Sequence, residues 1–223
     1  MELREYMSVR RAYNLVRQET DVSRRLTFEE FAILCRLDFA GEPLKTSMIA
    51  EYQGALRPTM THRTNHLAKL GFIERGEGKI DRRNIVCSIS DLGREHVQEL
   101  AELTRSHISA RQPLARTAAE RICRYVDAMG SVYCTAGELI LLALRNAGDE
   151  PSTVTQLVEC LGLLQPTVSM SVSTLIERGL VTRERGLASL RSSSILLTDE
   201  GKVVADNIAS RIAAIIVHRK PRT

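Results

Sequence analysis

Shifted by 108 residues, the chain lies on itself without a gap. Pro43, Pro58, Thr59, Leu67, Gly71, Arg75, Arg83, Asp91 and Gly93 fall on Pro151, Pro166, Thr167, Leu175, Gly179, Arg183, Arg191, Asp199 and Gly201. Related residues match between these identities: Met60 on Val168, Thr61 on Ser169, Phe72 on Leu180, Ile73 on Val181. A repeat of this length is too long for a solenoid unit and has the size of a small domain. Two like domains in one chain can build by fusion the two-fold arrangement that most proteins obtain from a homodimer. The expected division is residues 1–108 and 109–223.

Hydrophobic residues make up 43% of the chain, enough for two small cores, but aromatics are only 4% and Trp is absent. Those cores must therefore be aliphatic and mainly helical. The net charge is +4, with 17 Lys+Arg against 16 Asp+Glu in the first repeat and 14 against 11 in the second. That balance names no partner, so local clustering has to carry the argument. The first nineteen residues are charged throughout, with no apolar run suited to a signal peptide. No segment approaches the roughly 20 apolar residues of a membrane span, so no membrane partner is expected. The cysteines (35, 87, 123, 134 and 160) are odd in number and lack Cys-x-x-Cys spacing. They fit a reducing cytoplasm, with the thiols used as small apolar residues.

Along the first repeat, residues 2–18 read as a helix. Thr27 caps a second one, with Glu29 and Glu30 in its first turn. Gly41-Glu42-Pro43 breaks it, a short helix follows over 46–53, and a longer one starts at Pro58 and ends at Gly71. Two glycines, Gly76 and Gly78, precede a period-2 strand in which Ile85, Cys87 and Ile89 share the inward phase. Asp91 then opens a helix to about His107. The second repeat predicts helices over 114–129, 135–146, 153–161 and 166–178, a hairpin over 180–197, and a final helix over 199–216. A helix, short turn and helix followed by a hairpin make a winged helix-turn-helix. The fold class expected is thus mostly α with small β-hairpin wings: two tandem winged-helix domains in a pseudo-two-fold arrangement.

The stretch Thr59-Met60-Thr61-His62-Arg63-Thr64-Asn65-His66-Leu67-Ala68-Lys69-Leu70-Gly71-Phe72-Ile73-Glu74-Arg75 resembles the recognition-helix segment of MarR-family transcription regulators. Asp81-Arg82-Arg83 and Ser90-Asp91-Leu92-Gly93 resemble that family's wing tip and the start of its next helix. The resemblance runs over both repeats, and the duplication is similar to the two-domain members of the related SarA group. In the second repeat Ser189-Leu190-Arg191 replaces Asp81-Arg82-Arg83, so the acid is lost there. The resemblance implies a cytoplasmic DNA-binding repressor or activator, of a kind often controlled by a small-molecule effector or by cysteine oxidation.

On a helical wheel Met60, Thr64 and Leu67 form one face of helix 58–70, expected to be packed. Thr59, His62, Arg63 and His66 form another. A helix fits the major groove, where Arg can bond guanine bidentately and Thr can touch a thymine methyl. His62, Arg63 and His66 are therefore the expected base readers. Arg57 and Thr61 sit near the helix start, where they can hold a phosphate. In helix 166–178 the equivalent positions carry no charge: Gln165, Thr167, Ser169, Met170, Ser171 and Thr174. Its packed face is Val168, Val172 and Leu175. At the wings, near 76–84 and 184–192, Arg82 and Arg83 can reach the minor groove, with Asp81 orienting Arg83. Arg183, Arg185 and Arg191 are the cations available to the second.

His62 and His66 have the i, i+4 spacing of paired metal ligands but lack a third ligand nearby, so no metal or other cofactor is expected. Cys35 and Cys87 read as core residues. Cys123 or Cys134 would need a flanking cluster of cations to act as a redox sensor, and no such cluster is evident. No phosphate loop, nucleophile elbow or carboxylate pair points to an enzyme. The function expected is sequence-specific recognition of an asymmetric double-stranded DNA operator by a monomer acting as an internal pseudo-dimer. Three alternatives stay open: a protein-interaction winged-helix module, a sequence-tolerant architectural DNA binder, and a sensor dominated by its ligand.

Overall fold

The computed structural model describes residues 1–78, 85–148, 150–185 and 193–218, the side chains of Arg185 and Ser193 excepted. In chain order these form α1 (Leu3–Glu19), a 3-10 turn (Val22–Arg24), α2 (Phe28–Ala40), β1 (Leu44–Lys45), α3 (Thr46–Tyr52) and α4 (Arg57–Lys69). They continue with β2 (Ile73–Glu77), β3 (Ile85–Ile89), α5 (Asp91–Ser106), α6 (Ala119–Met129), α7 (Ala136–Ala147), α8 (Val154–Leu161) and α9 (Gln165–Glu177). The last elements are β4 (Val181–Arg185), β5 (Ser193–Leu197) and α10 (Asp199–Ala213). The fold is mostly helical, with two small antiparallel sheets in the order expected of winged helices.

The repeat holds down to single bonds. Thr27 and Thr135 head α2 and α7 with full capping boxes, closed by Glu30 and Glu138 three residues on. Ile73 pairs with Ile89 across the first hairpin, as Val181 pairs with Leu197 across the second. Strand β1 adds Leu44 opposite Cys87, and the second repeat keeps that contact as a single bridge from Ser152 to Ile195. The exit from each long helix is the same lock. Gly71 and Gly179 take φ of 77° and 70°, the left-handed region open to glycine at little cost. Their carbonyls accept from the hydroxyls of Ser90 (2.6 Å) and Thr198 (2.7 Å), which also cap α5 and α10. A Cβ on Gly93 would collide with the Phe72 carbonyl oxygen, and one on Gly201 with that of Leu180. The repeated Asp-x-Gly is thus a close backbone approach between hairpin and helix.

Two expectations change. The helix expected over 114–129 begins only at Ala119, because Leu114 holds a left-handed φ of 70° and Ala118 is extended. Within β3, Cys87 and Ile89 are buried as expected, but Ile85 at the strand's start is 38% exposed.

The chain forms two compact units that do not follow the repeat boundary. One comprises Met1–Leu15 and Cys134–Ala214, the other Val16–Tyr133 and Ile215–Thr223. In the first unit, α1 lies against the second repeat. Arg10 Nη2 donates to the Cys134 carbonyl (3.1 Å), Arg11 Nε to that of Glu159 (2.9 Å) and Asn14 Nδ2 to that of Leu161 (2.9 Å). In the other unit, α6 lies against the first repeat. Asp127 forms an ion pair with Arg36, Oδ1 to Nε 2.8 Å, and the Arg124 guanidinium stands 4.8 Å from the Phe39 ring centre. Burial raises the Asp127 pKa, and Arg36 opposes that rise. Among the described residues, no helix is long and apolar enough to cross a membrane.

Candidate nucleic-acid interface

In the first repeat α3 ends at Gln53, Gly54 turns the chain, and α4 starts with Arg57-Pro58. Proline suits that position because its missing N–H has no partner to lose. Met60, Thr64 and Leu67 are buried, the face expected. Thr64 satisfies its hydroxyl on the Met60 carbonyl at 2.9 Å, so a polar residue costs little in that core.

The opposite face divides into two groups. Arg57, Thr59, Thr61 and His62 are exposed. Arg63 and His66, read from sequence as base readers, are half-buried and already engaged. Arg63 Nη1 donates to Gln53 Oε1 at 2.8 Å, and the buried Gln53 passes its amide to the Glu29 carbonyl at 2.9 Å. His66 Nδ1 meets Glu30 Oε1 at 2.7 Å. Both side chains therefore brace α4 against the start of α2. Arg63 keeps further N–H groups free of the Gln53 bond, since a guanidinium carries five. Arg75 of β2 also bonds Asn65 of α4, tying hairpin to helix.

Beside the start of α4 lies a cavity of about 190 Å³. Thr46, Ser47, Arg57, Thr61 and Arg75 are the polar residues that line it, and Ala50, Met60 and Ile85 the apolar ones. Arginine and hydroxyl residues gathered around one hollow are the residue types that hold an anion such as a backbone phosphate, with the Thr46 hydroxyl already donating to the Ile85 carbonyl and Arg75 already bonded to Asn65. Gln53, Glu30, Asn65 and Arg75 were not among the site residues expected from sequence. Glu30 and Arg75 carried local signals, the first turn of α2 and the close of the Thr59–Arg75 motif, but their bonds to His66 and Asn65 depend on tertiary contact.

In the second repeat α9 buries Val168, Val172 and Leu175 as expected. Gln165, Thr167 and Thr174 are exposed, Ser169 and Ser171 half-buried, and Met170 is 72% exposed. Thr174 turns its hydroxyl back to the Met170 carbonyl (3.2 Å) and Ser173 to that of Ser169 (3.1 Å). Hydroxyl oxygens can still accept after donating in this way. The wing residues Asp81, Arg82, Arg83 and Arg191 lie outside the described residues, as does the side chain of Arg185.

Burial raises the thiol pKa of Cys35, Cys87, Cys134 and Cys160, which works against a thiolate at neutral pH. Among the described residues no cluster of three or more His, Cys, Asp or Glu could hold a metal ion.

No curated protein sequence matches the chain. Among solved structures, the transcriptional regulator BldR from Sulfolobus solfataricus is 24% identical over 37% of this chain and 58% of its own, with a TM-score of 0.35. A single-site mutant of ZitR from Lactococcus lactis is 24% identical over 36% and 53%, with a TM-score of 0.34. YusO from Bacillus subtilis is 22% identical over 46% and 67%, with a TM-score of 0.36. The aligned stretch thus spans little more than half of BldR and ZitR. Residues 139–188, from α7 through α8, α9 and β4, match the family model of the MarR family. That match falls on the helix-turn-helix of the second repeat and the first strand of its hairpin, and this stretch is similar to the MarR family.

Proposed function

We propose that the chain is a sequence-specific transcription regulator that binds double-stranded DNA and works in the cytoplasm. Each sequence repeat, 1–108 and 109–223, supplies one DNA head. Helices α4 and α9 enter major grooves, and the hairpins reach the minor groove or backbone. A single chain then does the work of a dimer, its two heads meeting successive major grooves about one turn apart.

The observation that carries this reading is the exposed first turn of α4. Arg57, Thr59, Thr61 and His62 face outward on a helix whose other side is fixed by Met60, Thr64 and Leu67. That helix is braced twice more, through Arg63 and His66, so its outer edge is rigid and aimed. His62 and Arg63, with its spare N–H groups, are the base readers of this head. Arg57, Thr61 and the neighbouring cavity hold phosphate. His66 acts mainly by positioning the helix. Arg82 and Arg83, oriented by Asp81, are assigned to the first wing, and Arg185 and Arg191 to the second. In the second head Gln165, Thr167, Ser169, Ser171 and Thr174 offer only uncharged groups, which makes it the looser reader.

Selection of bound duplexes from a random pool tests this. A defined site should emerge, and light scattering of the free chain should return a monomer. Enrichment of no sequence, with equal affinity for random duplexes, would favour an architectural binder. Absence of any salt-sensitive DNA binding would favour a protein-docking module.

A further inference from the structure

Both recognition helices begin on an exposed leucine. Leu56 and Leu164 are the N-cap residues of α4 and α9, 77% and 54% exposed, and neither side chain makes a capping bond. Leucine is among the poorest residues for that place, because it cannot accept from the unpaired N–H groups of the first turn. Two other helix pairs of the repeat keep good caps, whereas Lys45 at the head of α3 makes no side-chain bond where Thr153 caps α8. Thr27 and Thr135 cap α2 and α7, and Ser90 and Thr198 cap α5 and α10, all with side-chain bonds. The leucines are likewise 108 residues apart. The repeat has kept an apolar residue twice where a hydroxyl would serve the helix better.

Packing does not account for it, given the exposure, and neither does backbone strain, with φ at −68° and −67°. Pro58 and Thr59 recur as Pro166 and Thr167, but other residues that follow have diverged: Arg57 to Gln165, His62 to Met170, Arg63 to Ser171, His66 to Thr174. A largely exposed side chain that makes no cap, retained while most of the polar positions beside it changed, points to a contact outside the chain. Its surroundings say which. Leu56 adjoins exposed Arg57, Thr59 and Thr61, a cationic and hydroxyl-bearing edge suited to a nucleic acid. The apolar feature of duplex DNA in the major groove is the C5-methyl of thymine.

We infer that Leu56 and Leu164 each pack on a thymine methyl, one in each half-site, and form the part of recognition that the two heads share. This rests on the DNA-binding reading above. The test replaces each thymine of the selected duplex in turn by deoxyuridine, which removes only the methyl, and follows binding by fluorescence anisotropy. One substitution in each half-site should weaken wild-type binding about fourfold, the worth of one buried methyl-sized group. Leu56→Ala should lose a similar factor and become indifferent to deoxyuridine in one half-site only, and Leu164→Ala in the other. Leu56→Ser should bind as weakly as Leu56→Ala yet melt at a higher temperature than wild type, which separates lost contact from lost fold. If the wild type binds the selected duplex but no deoxyuridine matters, or the Ala variants keep the full wild-type profile, the assignment falls alone. If the wild type selects no duplex, the DNA-binding reading falls and takes the assignment with it.

Discussion

His66 Nδ1 lies 2.7 Å from Glu30 Oε1, while Oε2 of the same carboxylate accepts from the Thr27 backbone at 2.8 Å. One buried carboxylate thus closes the cap of α2 and holds α4. The second repeat keeps the cap through Glu138, but the position equivalent to His66 is Thr174. Helices α4 and α9 are therefore anchored differently although their cores match.

Glu30→Ala should destabilise the chain by about 1–3 kcal/mol, since it removes a cap and leaves His66 facing a buried void. Glu30→Gln can still close the capping box and should cost less than about 1 kcal/mol. Glu138→Ala, with only a cap to lose, should cost about 1 kcal/mol. Urea titration of the three variants measures the order. Equal losses at positions 30 and 138 would show that the His66 contact contributes nothing.

Gly93→Ala and Gly201→Ala should each cost at least about 2 kcal/mol, because the added carbon meets a backbone carbonyl rather than a flexible side chain. Thermal melts should show a comparable drop for both. A neutral substitution at either place would mean the hairpin can shift away from the helix without loss.

His96 on α5 stacks on Phe72, with ring centres 4.3 Å apart, and its Nδ1 meets Glu99 at 2.9 Å. Burial lowers its pKa below the ordinary 6.5, more strongly than Glu99 raises it. The unfolded chain then takes up the proton more readily than the folded one. The stability linked to His96 is complete above about pH 6.5 and is lost as the pH falls toward the depressed value. His96→Phe keeps the ring stack and should flatten that part of the acid limb. An unchanged slope below about pH 6.5 would remove His96 as its source.

Much of this was legible in the chain. The repeat, the packed faces of α4 and α9, the hairpins and the Thr27 cap all follow from spacing and from residues with strong local preferences. What was not legible depends on contacts between distant segments. Periodicity places Arg63 and His66 on the outer face of α4, but it does not show that Gln53 and Glu30 reach them. The repeat boundary does not reveal that α1 lies against the second repeat, or α6 against the first. The late start of α6 was hidden because nothing in the composition around Leu114 marks a left-handed residue.

The divergence of the recognition helices predicts a lopsided operator. Single-base changes in the half-site read by α4 should cost about 1–3 kcal/mol each, and those in the half-site of α9 much less. A full single-base scan by competition binding reads this directly. Mirror-related penalties of equal size would mean that the differences at His62, Arg63, Met170 and Ser171 do not govern recognition.

The central claim is that the exposed first turn of α4 meets DNA. Its most direct test is the salt dependence of binding to the selected duplex, for the wild type and for Arg57→Ala. Wild-type affinity should fall linearly on logarithmic axes as salt rises, and Arg57→Ala should bind more weakly with a slope shallower by about 0.9, the loss of one phosphate contact. Affinity that ignores salt, or an Arg57→Ala line that overlays the wild type, would contradict the account.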